Sequence, residues 1–158
     1  MRRRRICKTG IIGLSVPLSG CLGRLNGSES DDIETPETVT ETEFEFSDGR
    51  HEDSQNDPVI ELDTEEASAM VTGTLLVGSG SCNEATLDEI TRDADSDTVT
   101  VVVTWVDTSD EDEVCTDDIS SDEYEVRLGF ESLPSAITAT EHDYRDEEHT
   151  TTEEIETI

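Results

Sequence analysis

Positive charge, aromatic side chains and long apolar runs are all scarce in this chain of 158 residues. Lys and Arg total 10 against 41 Asp and Glu, a formal net charge of −31, so the chain repels phosphates and nucleic-acid binding is disfavoured. Aromatics are 4% of residues, too few for a large core to stand on them alone. The longest apolar stretch, Ile11 to Leu18, falls well short of the roughly 20 residues a helix needs to span a bilayer. There is no Gly-rich phosphate loop, zinc-binding helix motif, Cys-x-x-Cys pair or Gly-x-Ser-x-Gly elbow. On that basis no catalytic residue, cofactor or metal ligand set is assigned, and the chain is read as a non-enzyme.

What is present is concentrated at the head of the chain. Arg2-Arg3-Arg4-Arg5 precedes an uncharged run from Thr9 to Gly20, and Leu18-Ser19-Gly20 stands directly before Cys21. A basic segment, a short apolar core and small residues before a cysteine are the parts of an export signal that ends in lipid attachment. A basic arm for nucleic acid is the competing reading, and the apolar stretch and the Leu-Ser-Gly-Cys box speak against it. Five of the ten cations lie in residues 1–20, so removing that segment and its cations takes the formal charge from −31 to −36. Self-repulsion of that size strains a compact state in dilute buffer, whereas at molar salt the Debye length falls to about 3 Å and screens it. The acidity therefore points to a high-salt habitat.

Arg3-Arg4-Arg5-Ile6-Cys7-Lys8 resembles a twin-arginine export signal, with Arg3 and Arg4 as its paired arginines, and Leu18-Ser19-Gly20-Cys21 resembles a lipobox. Together with an acid-rich body that has almost no lysine, the pattern is similar to the secreted lipoproteins of halophilic archaea. The resemblance implies a signal peptide over 1–20, lipid on Cys21, and anchorage at the outer face of the cell membrane. It names no ligand.

Residues 21–42 have few large apolar side chains and many Gly, Ser, Thr, Asp and Glu, and are read as the lipidated N-terminus and an acidic flexible tether. Asn26-Gly27-Ser28 within it is a candidate N-glycosylation acceptor at Asn26. From Thr42 the pattern shifts to period two: Phe44 and Phe46 alternate with Glu43 and Glu45, and Val59 to Leu62, Met70 to Val77 and Ala85 to Ile90 read as further strands. In the last of these Leu87 and Ile90 fall on opposite faces. Thr98 to Val106 is the clearest strand, with Val99, Val101, Val103 and Trp105 on one face, and Tyr124 to Phe130 and Ile137 to Thr140 follow. Short strands without helical spacing predict an all-β domain over 43–140, a small antiparallel two-layer sandwich of immunoglobulin-like arrangement. The valines, Trp105, Tyr124, Phe130, Phe44 and Phe46 would fill its core. Residues 141–158 are dominated by acids, Thr and His, and are read as an acidic C-terminal tail.

With Cys7 leaving in the signal and Cys21 taking lipid, Cys82 and Cys115 are the two thiols left for an oxidising exterior, and a disulfide between them is expected. A metal pair or redox dithiol is the alternative, and neither cysteine has the neighbouring ligands for it. Asp93-Ala94-Asp95-Ser96-Asp97 suggests calcium, but Thr98 and Thr104 stand where an EF-hand needs Gly and Glu, so a solvated hairpin turn is the better reading. Asp107 to Glu113 reads as a hydrated acidic loop. His51, His142 and His149 show no motif spacing, and His142-Asp143 with a distant serine makes only a weak hydrolase triad. The function expected is that of a membrane-anchored extracellular lipoprotein, a non-catalytic module for an envelope protein or glycan partner. The alternative is an accessory ion-binding or enzymatic surface protein using the acidic loops.

Overall fold

Alternating apolar and acidic residues bury one face of an extended segment and leave the other in water. Folded by that rule, the computed structural model, which describes residues 33–48 and 56–156, contains eight strands and no helix among the described residues. They are β1 Val39–Asp48, β2 Val59–Asp63, β3 Ser68–Gly78, β4 Asn83–Asp93, β5 Thr98–Asp107, β6 Ser120–Phe130, β7 Ala136–His142 and β8 Glu148–Glu154. Two four-stranded sheets, ordered β1-β6-β3-β2 and β4-β5-β7-β8, pack face to face. The expected all-β sandwich is present, with its disulfide.

One ladder is parallel. The chain leaves β5, forms β6 in the opposite sheet, and returns as β7 beside β5 in the same direction. The other five ladders are antiparallel.

The core is aliphatic. Val71, Leu75, Val126 and Leu128 from one sheet meet Val99, Val101, Val103 and Ile137 from the other, each at 1% exposure or less. Complete burial of each such side chain is worth about 1.5–3 kcal/mol. Tyr124 and Phe130 join them, while Phe44, Phe46 and Trp105 are only partly buried against the cluster. In β4 the register slips between Leu87 and Glu89, and this bulge returns Ile90 to the interior beside Leu87 while Glu89 faces water. The expectation that these two aliphatics lie on opposite faces is therefore corrected.

Two boundaries also change. β1 begins at Val39, inside the segment read as tether, because its backbone pairs with β6 from Phe130 onward. Residues 141–158 are not simply a tail: Glu141 and His142 complete β7, and β8 pairs with it along its length. Apolar content did not make β8 a strand. Thr138 and Thr140 face Thr152 and Thr150 across the ladder with hydroxyl contacts of 2.9 and 3.1 Å, and Ile155 anchors the end through its N–H to Ser135 O at 2.9 Å.

The register sorts the loops to two ends. β1 enters opposite the last residues of β6, at the end that carries the β2–β3, β4–β5 and β6–β7 turns. The disulfide, the 108–119 loop and the β7–β8 turn lie at the other end.

Candidate functional site

Carboxylates belong in water unless something inside the fold receives them. Asp122, Glu141 and Asp143 are nonetheless at 3%, 0% and 1% exposure, all toward the disulfide end. Asp122 accepts the Ala85 N–H at 2.7 Å and so ties β6 to β4 across the sandwich. Glu141 accepts the Tyr124 hydroxyl at 2.5 Å. Burial, reinforced by the Glu141 charge, pushes the Tyr124 hydroxyl far above its ordinary pKa, so it stays a donor.

Gly73 makes room for that pair. A Cβ there would fall 2.1 Å from Glu141 Oε1 and 2.5 Å from the Tyr124 hydroxyl oxygen, so the position excludes a side chain by close approach.

The third carboxylate is handled differently. Asp143 opens the turn between β7 and β8, and its Oδ1 accepts the N–H groups of Arg145 and Glu147 at 2.8 and 2.9 Å. Asp146 takes a φ of 62°, and the Asp143 N–H reaches Glu147 O at 3.1 Å, closing the turn. Asp143 Oδ2 is buried without a hydrogen-bond partner. His149 lies across the ladder from Glu141, with Nδ1 3.4 Å from Asp57 Oδ1 and Nε2 buried and unpartnered. One donor atom each from Asp143, Glu147 and His149 lies within 4.8 Å of the other two.

This cluster was not foreseen. The signal that could have found it is Asp143, Glu147 and His149 flanking a turn, which only β8 pairing brings together. His142 stands apart from the three, on the other strand face, 3.9 Å from Glu148.

Cys82 and Cys115 are bonded, with their Cα atoms 5.6 Å apart. The bond holds the exposed 108–119 loop against the start of β4, helped by the Thr108 N–H to Cys82 O at 2.6 Å and the Thr116 N–H to Ser81 Oγ at 2.9 Å. The acidic turn at 93–97 is a hairpin, as expected. Asp93 Oδ1 accepts the Asp95 N–H at 2.9 Å, and Asp97, at a φ of 51°, bonds to Arg92 and Ser135. These bonds hold both carboxyls below their usual pKa range, chiefly the Asp95 N–H for Asp93 and the Arg92 guanidinium for Asp97. Asp107 is likewise lowered, by Ser109. Of the acids that a calcium reading would recruit, Asp93, Asp97 and Asp107 accept bonds at their turns. Arg3, Arg4, Cys21, Asn26 and His51 lie outside the described residues.

A groove of about 860 Å³ crosses the first sheet, lined by Glu41, Glu43, Glu61, Glu66 and Met70 around Arg127. Arg127 pairs with Glu125 at 2.5 Å. No protein-family model, curated protein or solved structure matches this chain.

Proposed function

We propose that the chain is an exported, lipid-anchored module that works at the outer face of a membrane in high salt, binding an envelope protein or glycan without catalysing a reaction. The observation that carries the reading is the pairing of Cys82 with Cys115. Cleavage before Cys21 and lipidation of that residue would leave these as the two remaining cysteines, and disulfides persist in oxidising compartments. The entry of β1 at the end opposite the disulfide supports it further. A tether from Cys21 would then present the 108–119 loop and the β7–β8 turn away from the lipid.

The test is fractionation of a halophilic archaeon that expresses the full chain. Cys21→Ser should move the protein from membrane to medium, and Arg3→Lys with Arg4→Lys should retain the precursor inside. Wild-type protein recovered from the cytosol with residues 1–20 intact would overturn the reading.

A further inference from the structure

In and beside the β7–β8 turn two buried polar atoms lack hydrogen-bond partners, although the Arg145 charge acts on Asp143 and Glu147. Two backbone N–H groups fix the Asp143 carboxylate through Oδ1, so Oδ2 has a set direction, and it is buried without a hydrogen-bond partner. Asp57 stands behind His149 Nδ1 at 3.4 Å, which favours the proton on that nitrogen and a lone pair on Nε2, also buried and unpartnered. An anionic oxygen and an imidazole lone pair left unmet are costly, and a cation satisfies both at once. Glu147 adds a third donor from the solvent side and so supplies an entry path.

We infer that Asp143, Glu147 and His149 form a site for one first-row divalent cation of the zinc type. One imidazole with two carboxylates suits such an ion better than calcium or magnesium, which take oxygen ligands throughout. Ligands around a tetrahedral zinc stand about 3.3 Å apart, given metal–ligand bonds of roughly 2.0–2.1 Å. Closing the 4.8 Å cluster onto the ion therefore takes a modest movement, and the exposed Glu147 side chain supplies it. Three protein ligands leave a fourth position for water or for a group offered by a partner. The site stands on its own geometry, whether or not Cys21 carries lipid.

The experiment uses the full chain, stripped with chelator and held in molar sodium chloride. Equilibrium dialysis against Zn²⁺ should find one tightly held equivalent per chain, and Co²⁺ should give visible bands of nitrogen and oxygen ligation. Glu147→Gln, at an exposed position that leaves the fold intact, and His149→Gln should each weaken Zn²⁺ binding more than tenfold. Asp57→Asn should weaken it by about tenfold through loss of the group that orients the ring. Asp112→Asn, in the exposed 108–119 loop, should leave it unchanged. The inference is overturned if no tight equivalent binds, if Glu147→Gln and His149→Gln bind as the wild type does, or if equimolar Ca²⁺ displaces Zn²⁺.

Discussion

Replacing Tyr124 with Phe removes one hydroxyl and leaves the ring in place, its centroid 6.3 Å from that of Phe44. The hydroxyl donates to Glu141 at 2.5 Å, and Glu141 is fully buried. A hydrogen bond to a charged group is worth about 1.5–3 kcal/mol, and deleting this one withdraws a donor from a carboxylate that water does not reach, so Tyr124→Phe should cost about 2–3 kcal/mol. The effect has a pH signature. Tyrosine ionises near pH 10 in an unfolded chain, whereas burial and then the Glu141 charge raise its pKa in the fold. A raised folded pKa means the contribution is complete below pH 10 and is lost as pH climbs above it, at about 1.4 kcal/mol per pH unit. Urea unfolding in molar salt, followed by the fluorescence of the single Trp105, reads both effects. The variant should be less stable at pH 8, and the gap to wild type should narrow between pH 10 and 11. A variant as stable as wild type at pH 8, or a gap unchanged with pH, would refute the reasoning.

Three further outcomes are expected. Gly73→Ala forces a methyl into the Tyr124–Glu141 contact and should cost about 2–4 kcal/mol in the same urea assay, from overpacking and a disturbed hydrogen bond; a neutral result would mean the contact relaxes freely. Changing Cys82 and Cys115 together to Ser opens a loop with a sequence separation of 33, a loss of about 4 kcal/mol in the chain-entropy model; unaltered stability would show that the bond does not constrain the unfolded chain. Asp97→Asn should flatten the acid limb of the melting-temperature profile. The Asp97 carboxyl is held low mainly by Arg92, so its contribution exists above its unfolded pKa and disappears as pH falls through the lower folded value. Identical profiles for variant and wild type below pH 4 would contradict the assignment.

Strands with apolar alternation were legible in the chain because Phe44, the valines of β5 and the Tyr124 to Phe130 segment each declare a buried face. The disulfide was legible from the cysteine count, read with the expectation that Cys7 and Cys21 are spent in export and lipid attachment. β8 was not, since Glu148–Glu154 contains no aliphatic residue and becomes a strand through threonine pairing with β7. Neither the β4 bulge nor the parallel β5–β7 ladder has a local signature: the first answers to what Ile90 must cover, the second to where β6 carries the chain. The cluster at Asp143, Glu147 and His149 depended on both unseen features, the strand and its turn. Its chemistry was spelled out in two common acids and a histidine, and the burial of Asp143 and of His149 Nε2 distinguishes it from the exposed acids elsewhere on the surface.

Intact-mass measurement of the protein extracted from membranes, before and after reduction, tests the central claim most directly. An anchored, stapled module predicts a chain that begins at Cys21, carries lipid there, and gains two hydrogens on reduction as the Cys82–Cys115 bond opens. A chain beginning at Met1, with no lipid and no mass change on reduction, would contradict it.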